Sequence, residues 1–90
     1  MTPEQMLAIA DEFCAVYKVQ VRSFAALAAV AAVPEARFHG VAVHTSDGEK
    51  AEGVHTAVVK LSPLTGENEA FAELCRQVYL RWAQENPTSP

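Results

Sequence analysis

Cysteine pairs, clustered basic residues and long apolar runs are all scarce in this chain, and each scarcity removes a class of function. Cys14 and Cys75 are its two thiols, with no C-x-x-C spacing. Both sit among apolar neighbours at helical spacing, where free cysteine behaves as a small hydrophobe, so core packing is expected of them rather than a disulfide or redox pair. Seven Lys and Arg, scattered singly, face eleven Asp and Glu, for a net charge of −4 and a pI near 5.2. A nucleic-acid binder of this size carries a basic face, which argues against direct DNA or RNA binding. The longest apolar run, Phe24 to Val33, is ten residues long, against the roughly 20 that a membrane helix requires. The N-terminus lacks the order of charge, apolar run and cleavage site that marks a signal peptide. A cytoplasmic protein with no membrane contact is the expectation.

Bulk in the core is scarce too. Half of the 90 residues are apolar, yet 16 are alanine and only seven are aromatic. Ordering a chain costs roughly 1.5 kcal/mol per residue, so an alanine-rich core of this size leaves little surplus. A second copy or a protein partner is expected to complete it.

Local signals divide residues 1–85 into four helices and a hairpin within one domain, leaving 86–90 (Asn-Pro-Thr-Ser-Pro) as a frayed tail. Thr2, Pro3 and Gln5 form a capping box ahead of Met6, Ile9, Ala10, Phe13, Cys14 and Tyr17 on one helical face. Lys18–Val21 is a connection. Ser23 caps a short helix that turns Phe24, Leu27, Val30 and Ala31 inward and stops at Pro34. Phe38-His39-Gly40-Val41-Ala42-Val43 carries the glycine and β-branched residues of a hairpin or extended flap. Ser46-Asp47-Gly48-Glu49 is a second capping box, opening a helix with Val54, Ala57, Val58 and Leu61 on one stripe. The last helix repeats Phe71, Leu74, Cys75, Val78 and Trp82 at steps of three and four. The fold class is therefore all-α, a small bundle with a short β-hairpin.

The segment with most chemical content is Ser62-Pro63-Leu64-Thr65-Gly66-Glu67-Asn68-Glu69-Ala70, a loop feeding a helix N-terminus. Free backbone N–H groups and the helix dipole make such a place an anion site, and Gly66 would permit close approach. An ordinary helix–helix turn is the alternative. No histidine spacing matches a metal site: His39 and His44 fall on the flap, where they are expected to be solvated, and His55 on the third helix as a half-buried packing residue.

These residues resemble the death-on-curing (Doc) branch of the Fic/Doc family. Its members carry His-Pro-Phe/Leu-x-Asp-Gly-Asn-Lys/Gly-Arg between two helices, and Pro63, Leu64 and Asn68 match that motif without gaps. The likeness extends outward. Val21-Arg22, Leu27-Ala28 and Ala32-Val33-Pro34 are similar to the family's upstream stretch, and Phe38-His39-Gly40 to its flap. Glu49-Lys50-Ala51 and Val78-Tyr79-Leu80 also stand at family positions, so the resemblance covers roughly residues 4 to 82. It implies a Fic-type helical fold whose members move AMP, or in the Doc branch a phosphate, from a nucleotide to a hydroxyl of a target protein. Doc toxins act on elongation factor Tu and are silenced by an antitoxin segment that folds onto them.

The departures from that pattern are chemical. The family's histidine base aligns with Ser62, and a positioned general base is worth roughly 10²–10⁴ in rate. Its Mg²⁺-holding acid aligns with Gly66, leaving Glu67 as a neighbour that could substitute at the expense of the cradle's glycine. Its cationic pair aligns with Glu69 and Ala70, and charge-stabilising arginines in phosphoryl transfer can be worth about 10³–10⁵. Glu67, Glu69 and Glu73 place three carboxylates around the mouth of the last helix. Relatives also continue further past the motif helix, which implies an uncovered apolar face here. The expectation is a degenerate Doc-like protein of the toxin–antitoxin type, with no catalytic residue, metal or cofactor, that binds a protein partner, a second copy or an antitoxin-like peptide. The alternative is an active transferase using ATP and Mg²⁺, with Glu67 on the metal and a flap histidine as base.

Overall fold

The computed structural model describes residues 1–85; the tail expected at 86–90 lies outside the described residues. Helix α1 spans Pro3–Tyr17 and opens on a complete capping box. Thr2 Oγ1 accepts the Gln5 N–H at 3.1 Å, and the Thr2 N–H donates to Gln5 Oε1 at 2.8 Å. Met6, Ala10 and Phe13 are buried, but Tyr17, expected inward, is 48% exposed. The left-handed Lys18 (φ 60°) ends the helix just beyond it, so Tyr17 reaches the core only by stacking on Phe13, ring centroids 4.2 Å apart.

Helix α2, Phe24–Ala32, is capped by Ser23 Oγ, which accepts the Ala26 N–H at 3.1 Å. It buries Leu27, Val30 and Ala31, whereas Phe24 stands half exposed at the helix start. A 3₁₀ turn at Val33–Glu35 buries Pro34 and leads into strands β1 (Arg37–Phe38) and β2 (Val41–Ala42). These pair antiparallel, Arg37 with Ala42 and Phe38 with Val41. The two-residue turn His39-Gly40 has positive φ at both positions (53° and 79°), as the right-handed twist of a tight hairpin requires.

Helix α3, Asp47–Leu61, starts at Ser46, whose Oγ accepts the Glu49 N–H at 3.1 Å. The expected box closes one residue early. The Glu49 carboxylate accepts from the Thr45 N–H (3.0 Å) and the Thr45 hydroxyl (3.2 Å). Ala51, Val54 and Val58 are buried, while Leu61, expected on that stripe, is 41% exposed at the C-terminal end. Helix α4, Asn68–Glu85, returns antiparallel along α3 and buries Phe71, Ala72, Cys75, Tyr79 and Ala83. Its inward face is turned from the expected one: Leu74 and Val78 are half-buried and Trp82 is 38% exposed. Small residues at 72 and 83 let the neighbouring helices come close, so shape decides the face rather than side-chain size.

The main core joins Met6, Phe13, Leu27, Val30, Val54, Val58, Leu64 and Phe71, drawing on all four helices and the loop before α4. Phe13 meets Phe71 at 5.2 Å between centroids, and Cys75 Sγ lies 3.8 Å from Met6 Sδ. Among the described residues no helix is long and apolar enough to cross a membrane.

Candidate functional site

The Ser62–Ala70 segment joins α3 to α4, and nearly every polar backbone group in its first half is already taken. Ser62 ends α3 in the left-handed region (φ 46°), its N–H returning to the Val58 carbonyl. The connection between α1 and α2 then closes over the loop. Arg22 and Ser23 N–H both donate to the Pro63 carbonyl, at 2.7 and 3.1 Å. Thr65 N–H donates to the Gln20 carbonyl at 2.8 Å, and Gln20 N–H returns to Thr65 Oγ1 at 3.0 Å. Val21 and Leu64 form an antiparallel bridge. Pro63 and Leu64 are buried beneath this lacing.

Two side chains complete it. Arg22 turns its guanidinium onto the end of α3, donating to Ser62 O (2.6 and 3.0 Å) and Leu61 O (3.1 Å). A cation suits the unpaired carbonyls of a helix C-terminus, so this charge is used by the fold. Asn68 clasps a single residue from both sides. Its Oδ1 accepts the Leu64 N–H and its Nδ2 donates to the Leu64 carbonyl, each at 3.0 Å.

Of the residues aligned with the family motif, Pro63, Leu64 and Asn68 thus serve the loop's own closure. Ser62 is half-buried, with its hydroxyl 3.4 Å from the Val59 carbonyl. Gly66 is not where the backbone needs glycine. The positive φ falls on Glu67 (58°), and a Cβ at Gly66 would meet Val19 Cγ1 at an ordinary 3.5 Å. The expectation that Gly66 supplies a close-approach position is therefore corrected; the tethers on either side push the unusual angle one residue on.

Glu67 and Glu69 are exposed beside the α4 N-terminus, and Ala70 is half-buried. Glu73, expected as a third carboxylate at that mouth, lies one turn further in and faces Arg76. Arg76 Nε donates to both its carboxylate oxygens at 2.9 and 3.0 Å, and Arg76 Nη2 to Oε1. These bonds hold the Glu73 carboxyl below its ordinary value and push the Arg76 guanidinium up. Arg76 also reaches Glu52 of α3 at 3.8 Å, tying the helix pair together. A triphosphate with Mg²⁺ does not fit these residues: Gly66 offers no side-chain ligand, the carboxylates of Glu67 and Glu69 flank the helix start, and Arg22, the cation touching the loop, is engaged by the Leu61 and Ser62 carbonyls.

The flap is rooted near the other end of α3. Phe38, Val41 and Val43 alternate outward and are exposed, Phe38 at 70%, while Ala42 and His44 turn to the half-buried side. His39 and Gly40 form the exposed hairpin tip, with the His39 ring edge-on to Phe38 at 4.3 Å. His44, expected to be solvated, instead packs on α3: a Cβ added to Gly53 would fall 2.8 Å from His44 Nε2 and 2.9 Å from Val33 Cγ1. Gly53 to Leu61 is about 12 Å of helix axis, which separates the His44 ring from the loop. Among the described residues no hydrogen bond or ion pair joins the flap to the loop, and no group of three metal-ligating side chains comes together. His55 is half-buried, as expected.

Sequence reasoning missed the closure of the loop by Gln20, Val21 and Arg22, because such pairing across 39 to 45 residues leaves no local mark. Compared with family models, curated proteins and solved structures, the chain matches none.

Proposed function

We propose that this chain is a degenerate Doc-like protein of the toxin–antitoxin type, which acts in the cytoplasm by binding protein and transfers neither phosphate nor AMP. The observation that carries the reading is the self-satisfied loop. Arg22 caps α3, Asn68 clasps Leu64, and Gln20 and Thr65 pair, so the groups that could meet a nucleotide hold the two helices in place instead. Ser62 stands where the family resemblance puts a base, and serine takes up no proton near neutral pH. The exposed apolar residues of the flap, Phe38, Val41 and Val43, supply surface for a partner of protein character, either an antitoxin-like peptide or a second copy.

Isothermal titration of the whole chain with ATP and Mg²⁺ tests this. The expected result is no heat of binding above that of dilution. Tight, Mg²⁺-dependent binding would overturn the reading in favour of a transferase with Glu67 on the metal.

A further inference from the structure

We propose that the outward face of α3 docks a second copy of this chain, antiparallel and about a twofold axis, an inference that rests on the protein-binding reading above. An open groove of about 770 Å³ runs along this face, floored by Gly53 and Ala57 and walled by the His44 ring. Exposed along it stand Glu49 and Glu52 towards the N-terminal end, Thr56 in the middle and Lys60 towards the C-terminal end. Steps of three and four residues keep these four on one stripe, away from Val54 and Val58, which face the core.

The order of charge along the stripe selects the occupant. It is acidic at one end and basic at the other, and Thr56 is four residues from both Glu52 and Lys60. A twofold axis through Thr56 lays each Lys60 over the partner's Glu52, twice per dimer. A parallel copy would set like charge on like, and a uniformly acidic or basic partner would be opposed at one end. The short side chains of Thr56 and Ala57 allow helix axes to approach to about 8–10 Å beside the His44 ring, which covers Gly53. The charges are open to pairing: Lys60 has no ion pair among the described residues, and Glu52 has only the 3.8 Å contact with Arg76. One helix face about 22 Å long is small beside the roughly 800 Å² per partner of a standard interface, so association with a dissociation constant of roughly tens to hundreds of micromolar is expected.

Sedimentation of the whole chain from about 10 to about 500 µM, bracketing that range, is the test, with circular dichroism to establish folding. Wild type should self-associate. Lys60→Glu and Glu52→Lys should each weaken association by about tenfold or more, because like charges then meet twice. Mixing the two variants should restore it, since both contacts of the mixed dimer pair opposite charges. Should Glu52→Lys fail to fold for want of its Arg76 contact, salt decides: wild-type association should weaken with added salt and that of Lys60→Ala should not. A wild-type monomer throughout the range, single variants that associate like wild type, or a mixture that stays monomeric would each overturn the proposal. With ATP titration silent, such a failure removes this face and leaves the binding reading standing; Mg²⁺-dependent ATP binding removes the reading whatever the sedimentation.

Discussion

Glu67 holds a backbone angle that its own side chain opposes. A left-handed non-glycine residue costs roughly 1–2 kcal/mol, and a carboxylate at a helix N-terminus returns roughly 0.3–1 kcal/mol. With φ at 58° on Glu67, the strain is the larger of the two, but glycine's freer unfolded chain offsets about 0.4–1 kcal/mol of the relief, so Glu67→Gly should stay within about 0.5 kcal/mol of wild type in urea denaturation. Gly66→Ala should also be tolerated or stabilising, by about 0.4–1 kcal/mol through the unfolded chain, because its Cβ would meet nothing closer than 3.5 Å. A loss of about 1 kcal/mol or more in Glu67→Gly would mean that the carboxylate matters more than the angle. The sequence places the glycine and the glutamate side by side and points to the wrong one. Which residue takes the positive φ is set by the Thr65–Gln20 and Asn68–Leu64 tethers, and Gln20 is 45 residues from Thr65.

Helix starts were legible because capping is a local transaction. Thr2 with Gln5, Ser23 with Ala26 and Ser46 with Glu49 all form within one turn of chain. Helix faces were less so: α4 buries Tyr79 and Ala83 where periodicity favoured Val78 and Trp82, since alanines mark close approach only once the neighbouring helix is known. At α3 the cap carries a pH dependence. The Thr45 N–H, then its hydroxyl, hold the Glu49 carboxyl below its ordinary value of 4.5. A carboxyl depressed in the folded state contributes stability that is complete above 4.5 and is lost as pH falls through the lower folded value. Glu49→Gln keeps an acceptor without the titration. Its thermal midpoint should therefore fall less than that of wild type between about pH 6 and about pH 3. Glu73, depressed by Arg76, should leave a residual slope in both proteins. Equal falls in the two chains would show that the charge of Glu49 adds nothing to the cap beyond what a neutral acceptor supplies.

The core is unevenly loaded along the molecule. Around the first half of α4, Phe71, Ala72 and Cys75 pack with Met6, Phe13, Leu27 and Val58 from the other three helices. Burial pushes the Cys75 thiol up to about 12, in keeping with a dry interior. Around its second half, the buried cluster shrinks to Ala51, Tyr79 and Ala83, with Met1 and Leu80 packed against it. Two alanines bury little area, so Tyr79, the one buried aromatic there, with Trp82 tilted against it at 5.8 Å, carries most of the packing at that end of the α3–α4 hairpin. Composition announced a thin core, but only the contacts reveal where it thins. Local opening follows local burial, and segments with few buried apolar contacts open at well below the global free energy. Native-state hydrogen exchange should therefore find the amides near Cys75 opening with the whole molecule, and those beyond Tyr79 opening about 2 kcal/mol or more sooner. Tyr79→Ala should widen this gap: it removes the bulk of the small cluster, about 3–5 kcal/mol of packing for an aromatic truncation, while the Phe71 end keeps its partners. Uniform protection along α4 would contradict this division of the core. It would mean instead that the alanine contacts at 51 and 83 bind the helices as firmly as the aromatic pair Phe13 and Phe71 at the other end.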